Sequence, residues 1–265
     1  MSNFEWVGSQ DSFVDTLSVQ KHGNLIIGRF GGNSSAGQTK NEDGCLVWQN
    51  ELEDWEFVIL LDAHKTAESA ELILKEFSKR KRLIKTLLSG AIDETFKRIE
   101  ETTLQIFQNP EFQTLCRKVN GSTSCLIVLR KDKYIWWFSV GDCILYLFHP
   151  ELAKLGQYQV NQRHFFEWIG EVNTFELAVP CYSTGRKELR KGLNHLFLTT
   201  DGLLECPGLP YDYPQKIQKE FVDHPNEDAV GALLKKIQSL SVRDSTTIIS
   251  WFVSCGQDAS LPCNQ

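Results

Sequence analysis

Four aspartates stand at the ends of apolar, strand-like segments. Asp62 closes "EFVILLD", Asp142 follows "WWFSVG", Asp201 follows "HLFLTT", and Asp244 precedes "STTIISWFV". Burying an unpaired carboxylate costs several kcal/mol, so an acid at the tip of a buried strand usually faces a cleft or an ion. If the four strands are neighbours in packed sheets, the carboxylates meet at one rim, where cations must offset their repulsion.

Such a cluster favours one kind of chemistry. It lacks the histidine and cysteine ligands of zinc, and hard oxygen donors favour Mg²⁺ or Mn²⁺. Two such ions about 3.5 to 4 Å apart lower the pKa of a shared water and clamp phosphate oxygens, which suits hydrolysis of a phosphate ester. Spacing alone also permits four unrelated turn residues, because "SVGD" and "TTDG" are good turn sequences, and Asp62 also suits a helix N-cap.

Composition limits the class of protein. The 265 residues are 42% hydrophobic and contain no linker or repeat, which predicts one domain over residues 1–265. A net charge of -6 argues against a nucleic-acid partner. No leader-like or membrane-length apolar run occurs, so we expect no membrane partner and a cytoplasmic location. The eight cysteines form no zinc or disulfide pattern, and the exposure of Cys255 and Cys263 stays open.

The elements that must position the acids are mostly strands. Apolar and β-branched runs predict strands at 24–30, 44–49, 56–62, 122–130, 133–142, 143–149, 195–202 and 245–253. Helical spacing predicts helices at 66–79 and 83–108, and a third whose apolar face comprises Val230, Leu233, Leu234, Ile237 and Leu240. Blocks of strands separated by blocks of helices predict an α+β layered domain.

Six short motifs in order then resemble those of the metal-dependent type 2C protein serine/threonine phosphatases, along nearly the whole chain. They are "NED" (41–43), "LLDAH" (60–64), "GSTSCLIVL" (121–129), "SVGDCILYL" (139–147), "LFLTTDGLLE" (196–205) and "RDSTTIIS" (243–250). The resemblance implies a four-layer αββα sandwich, in which helices flank two antiparallel sheets. It also implies two Mn²⁺ or Mg²⁺ ions at one end.

The resemblance also implies roles for individual residues. The metal ligands would be Asp43, Asp62, Ala63 through its carbonyl, Asp142, Asp201 and Asp244, with Glu42 beside Asp43 in the first motif. Asp62 would bridge the two ions, and Asp142 with Asp201 would serve a third, weaker metal site. His64 would be the general acid that protonates the leaving alcohol, a role that suits imidazole; a solvent-facing histidine is the alternative.

The expected reaction is hydrolysis of phosphoserine and phosphothreonine in proteins by a water activated between the two metals. The partner would be a phosphoprotein substrate, and the sequence leaves the oligomeric state open. The rival interpretation is a non-catalytic regulatory or binding module that keeps the fold. All the metal-matching carboxylates are present, which favours the enzyme.

The chain also departs from the family pattern. Gln38 stands where an arginine usually binds the substrate phosphate, and Lys40 or Arg29 are candidate replacements. Ala63 replaces a glycine, which would cost about 1 kcal/mol if the backbone there needs a positive φ.

Two further departures lie downstream. Ser245 replaces an asparagine, and the segment 160–177 replaces the usual Leu-Thr-x-Asp-His run. Within that segment we expect Phe165, Phe166 and Trp168 to pack as core aromatics, with a partner-binding flap as the alternative.

Overall fold

The computed structural model describes residues 2–260 and contains two antiparallel sheets packed face to face between helices. The first sheet comprises β1 (Ser2–Val7), β4 (Gly44–Asn50), β5 (Trp55–His64), β6 (Ser122–Lys131), β7 (Tyr134–Val140), β9 (Ile169–Gly170) and β10 (Ser183–Glu188). Its strand order is β1-β4-β5-β6-β7-β10, and the short β9 pairs with β6.

The second sheet comprises β2 (Leu17–His22), β3 (Leu25–Phe30), β8 (Ile144–Phe148), β11 (Gly192–Thr199) and β12 (Thr246–Cys255). Its strand order is β2-β3-β12-β11-β8. The helices are α1 (Glu68–Lys79), α2 (Lys81–Leu88), α3 (Ile92–Phe107), α4 (Pro110–Cys116), α5 (Pro150–Ala153), α6 (Pro214–Asp223) and α7 (Asn226–Ser239). None of the described helices is long and apolar enough to span a bilayer.

Three apolar layers hold the sandwich together. Helices α1 to α4 cover the outer face of the first sheet, and α6 and α7 cover that of the second. Between the sheets lie alternate residues of the strands, among them Val58, Leu60, Leu126, Val128, Leu196, Leu198, Ile249 and Trp251. Because side chains alternate across a strand, every second residue of these strands faces the partner sheet. The predicted four-layer αββα architecture is confirmed.

All eight predicted strands occur, but four further strands were missed. Three of these, β1, β2 and β10, lie at sheet edges and carry half-exposed residues, so they lack an apolar run, while β9 has only two residues. The predicted helix over 83–108 is wrong as one element, because α2 ends at Leu88 and α3 begins only at Ile92, after Ser89 and Gly90. The predicted helices at 66–79 and around Val230–Leu234 are confirmed as α1 and α7.

Three helices had no apolar signal but do have a start signal. Pro110, Pro150 and Pro214 stand in the first turn of α4, α5 and α6. Proline suits that position, because a backbone N–H in the first turn would have no partner within the helix.

The sequence left open whether Cys255 and Cys263 are exposed. Cys255 is buried, and Cys263 lies outside the described residues.

Candidate metal centre

The alternation of strand residues brings the acids to one end of the gap between the sheets. Asp62 lies two residues after Leu60 on β5, and Asp43 lies two residues before Cys45 on β4, on the faces that pack against the second sheet. Asp201 follows the end of β11 and begins a one-turn 3-10 helix. An apolar strand therefore ends on a charge because the gap between the sheets opens there.

Three acids converge closely enough to share an ion. One carboxylate oxygen each from Asp62, Asp142 and Asp201 lies within 4.8 Å of the other two, and all three residues are buried. Asp62 Oδ2 and Asp201 Oδ1 are buried without a hydrogen-bond partner among residues 2–260. An orphaned buried carboxylate oxygen is costly unless a cation takes it as a ligand, so these residues fit a hard divalent ion.

The raised pKa values of the clustered aspartates also favour a bound cation. Burial raises the pKa of Asp62 well above its ordinary value, and the charges of Asp201, Asp43, Asp244 and Asp142 add to the rise. Burial raises the pKa of Asp201 to about 8, with Asp244 and Asp142 contributing further. The protein alone therefore does not stabilise both carboxylates in their charged form at neutral pH, whereas a divalent cation would.

Asp43 is held by the opposite sheet. It is fully buried; Ser245 Oγ donates to Asp43 Oδ1 at 2.7 Å, and Thr247 Oγ1 donates to Oδ2 at 2.7 Å. Thr200 Oγ1 adds a bond of 3.3 Å to Oδ2. Burial raises the pKa of Asp43 to about 7, although the hydroxyls of Thr247 and Ser245 oppose the rise. Both oxygens already have donors, so Asp43 ties the two sheets together behind the cluster.

Asp142 is positioned by a tight turn. Gly141, at φ +85°, sets the turn after β7, and a Cβ there would lie 2.3 Å from Ser124 Oγ. Ser124 Oγ donates to Asp142 Oδ1 at 2.6 Å, and Ser124 is paired with Asp62 across β5 and β6. This close approach needs glycine and aligns Asp142 beside Asp62.

A cleft of about 400 Å³ opens next to the acids. It is lined by Gln38, Lys40, Glu42, Ala63, His64, Lys65, Arg243 and Asp244. His64 is half-exposed; its Nδ1 lies 3.7 Å from Asp62 Oδ1, and its ring centroid lies 4.7 Å from that of Trp168. Asp244 sits at the rim, outside the triad of shared oxygens, with its own charge acting on both Asp62 and Asp201.

The backbone at Ala63 does not need the positive φ that would have made alanine costly there. Ala63 continues β5 and pairs with Thr123, and it is not among the described residues with a positive φ. Alanine therefore costs no backbone strain there. The left-handed residue is Lys65, at φ +73°, which follows the end of the strand.

Two expectations about nearby residues are wrong. Arg29 cannot replace the missing phosphate-binding arginine, because it is buried, hydrogen-bonded to Ser18 and Gln20, and stacked on three aromatic rings away from the cleft. Phe165 and Phe166 are not core aromatics, since they are 54% and 90% exposed.

The sequence reasoning missed several residues of the site. Arg163 lies 3.9 Å from both Asp142 Oδ2 and Asp201 Oδ2, and Arg243 lines the cleft. Thr200 and Thr247 support Asp43 from the second sheet. Arg243 had a signal, because it directly precedes Asp244, but Arg163 stands in the segment with no family motif.

Solved structures with the same fold agree with this architecture. A bacterial serine phosphatase is 14% identical, and the alignment covers 91% of this chain and 100% of that one with a TM-score of 0.63. The fold is that of the type 2C phosphatases. The serine/threonine phosphatase Stp1 from Staphylococcus aureus is 14% identical over 90% of this chain and 94% of its own, with a TM-score of 0.59.

The same type 2C fold occurs in RsbX, solved in complex with magnesium. RsbX is 12% identical, and the alignment covers 90% of this chain and 100% of RsbX with a TM-score of 0.53. No family profile matches the chain. No curated protein matches it in sequence either.

Proposed function

We propose that this chain is a Mn²⁺- or Mg²⁺-dependent phosphatase that hydrolyses phosphoserine and phosphothreonine in proteins. The orphaned oxygens of Asp62 and Asp201, buried beside an open cleft, carry the proposal. Neighbours of the same fold include a bacterial serine phosphatase and the serine/threonine phosphatase Stp1, and another neighbour, RsbX, was solved in complex with magnesium. The net charge of -6 argues against a nucleic-acid partner, and the free cysteines among residues 2–260 fit a reducing compartment such as the cytosol.

In this proposal the chain's residues divide the work. Asp62 and Asp201 would hold two ions, with the Ala63 carbonyl and the rim residue Asp244 completing their ligands. When bound, such a pair lowers the pKa of a shared water and clamps phosphate oxygens. His64 opens into the same cleft and would donate a proton to the departing serine or threonine oxygen.

The missing phosphate-binding arginine has a replacement in the cleft. Lys40 is paired with Glu42 at 2.5 Å, and Lys65 is paired with Glu171 at 2.7 Å. Arg243 also lines the cleft, and its side chain makes no hydrogen bond or ion pair with the described residues. Its guanidinium is therefore free to grip a phosphate in the bidentate manner that the neutral amide of Gln38 does not allow.

The proposal is tested by hydrolysis of p-nitrophenyl phosphate and of a phosphothreonine peptide, with and without Mn²⁺. We expect turnover that is abolished by a chelator and by Asp62→Asn or Asp201→Asn. Asp212→Asn is the matched control, because it removes a surface carboxylate paired with Lys216 and should leave turnover unchanged.

The rival function makes the opposite prediction. Gln38 is the observation that favours a non-catalytic binding module. No turnover at any Mn²⁺ concentration, together with tight binding of a phosphopeptide, would favour that module and refute the enzyme. Turnover that persists in the presence of chelator would refute the metal mechanism alone.

A further inference from the structure

A guanidinium sits among the acids of the cluster. Arg163 Nη2 lies 3.9 Å from Asp142 Oδ2, 3.9 Å from Asp201 Oδ2 and 2.8 Å from Glu205 Oε1. The side chain is 20% exposed, and its guanidinium carbon lies 4.8 Å from the centre of the Phe165 ring. Three acids and one aromatic face thus surround a single permanent positive charge.

The backbone on both sides of Arg163 is anchored to the turn that carries Asp142. The buried Asn161 side chain accepts from Leu145 N at 2.8 Å and donates to the Cys143 carbonyl at 2.8 Å. On the other side, His164 N donates to the Gly141 carbonyl at 2.8 Å. Arg163 is therefore placed by the fold and does not reach the cluster as a loose surface side chain.

The acids of the cluster differ in how the protein satisfies them. Asp142 accepts a hydrogen bond from Ser124 Oγ on Oδ1, and its Oδ2, like Oδ2 of Asp201, lies 3.9 Å from Arg163 Nη2. Asp62 and Asp201 each keep one buried oxygen without a partner among residues 2–260. The carboxylates of Asp62 and Asp201 are thus the least compensated by the protein, whereas the carboxylate of Asp142 is largely compensated.

We propose that Arg163 is a positioning residue that serves as the internal counter-cation of Asp142 and takes the place of a third divalent ion. This inference rests on the proposed function, since it concerns the same cluster. A guanidinium stays protonated and has only donors, so it neutralises Asp142 and repels an ion that approaches between Asp142 and Asp201. The cluster then takes two ions, where the family resemblance implied a third, weaker site.

The experiment counts Mn²⁺ bound per chain, by equilibrium dialysis with electron paramagnetic resonance of the free ion. We expect two ions in the wild type and three in Arg163→Gln, whose amide leaves Asp142 uncompensated. Arg163→Lys keeps the charge and should bind two. Adding Asp142→Asn to Arg163→Gln should return the count to two.

Arg186→Gln is the matched control. Arg186 lies on β10, an edge strand of the first sheet, is half-exposed and pairs with Glu100 of α3. Its loss therefore changes the net charge equally without touching the cluster. We expect this variant to bind two ions, which separates a local effect from a general change in charge.

Two results would overturn the inference. One is an unchanged count of two in Arg163→Gln; with turnover intact in the wild type, this would leave the proposed function standing. The other is a loss of one ion in Asp142→Asn alone, because Asp142 would then hold an ion in the wild type; this variant decides the question even if Arg163→Gln fails to fold. A wild type that binds no Mn²⁺ would refute the proposed function as well.

Discussion

The buried His195 should make the stability of the fold fall in mild acid. It lies on β11, the strand that leads to Asp201, and its Nε2 is 2.7 Å from Ser250 Oγ. Around it pack the rings of Phe148, Phe197, Phe221 and Phe252. Burial lowers its pKa from 6.5 to about 3, so the folded protein holds this imidazole neutral.

The sign of the effect follows from linkage. The pKa is lower in the folded than in the unfolded chain, so below pH 6.5 the unfolded chain binds a proton that the folded chain does not. The stabilisation is complete above 6.5 and is lost progressively as the pH falls toward about 3. The free energy of unfolding should decrease by about 1.4 kcal/mol at one unit below 6.5, and by roughly 2.7 kcal/mol at two units below.

The assay is urea unfolding across this pH range, with chelator present, for the wild type and His195→Gln. Glutamine keeps a neutral donor for Ser250 but does not titrate, so the difference between the two proteins isolates the histidine from the acidic cluster. His224→Gln, which replaces an exposed histidine, is the control for the substitution itself. A wild-type and His195→Gln difference that stays constant with pH would refute a buried neutral imidazole.

Four further substitutions test the site. Arg243→Gln should raise KM for a phosphopeptide roughly tenfold with little change in kcat, because it removes one charge-assisted contact to phosphate. Gln38→Arg should lower KM. Steady-state phosphatase kinetics measure both effects. Thr247→Val should lower the free energy of unfolding by about 1 to 3 kcal/mol in urea titrations, because the buried carboxylate of Asp43 loses a donor. Gly141→Ala should lower Tm, measured by calorimetry, and weaken Mn²⁺ binding, measured by equilibrium dialysis. The reason is that φ is +85° at this position and the added Cβ would lie 2.3 Å from the Ser124 hydroxyl.

Three of these substitutions have a matched control. Arg243→Lys keeps the charge and should lose less affinity for phosphate, so an equal loss in both variants would contradict a bidentate contact. Thr247→Ser keeps the hydroxyl and should stay near wild-type stability. Gly37→Ala adds a Cβ at φ +91° with nothing within 4 Å, so a Tm drop equal to that of Gly141→Ala would mean that backbone strain alone acts.

Part of the site was predictable because short, local sequence patterns identify it. Apolar strands that end on Asp62 and Asp201 revealed where buried segments meet charge, and eight of the twelve described strands were found. Three of the four edge strands were missed, because β1, β2 and β10 bury too little apolar surface to leave a pattern. The break between α2 and α3 was also missed, since helical spacing of apolar residues continues across Ser89 and Gly90.

The sequence pattern alone determined the α+β layered class and the four acids at strand ends, because alternation and strand ends depend on neighbouring residues. The four-layer αββα arrangement was what the family resemblance implied. Only the tertiary structure decided which oxygens are left without a donor and which are already satisfied. Asp43 accepts hydrogen bonds from the hydroxyls of Ser245 and Thr247, and Asp142 lies 3.9 Å from the guanidinium of Arg163. These contacts join residues up to 204 positions apart, and a charge is compensated by what surrounds it in space, which no local pattern records.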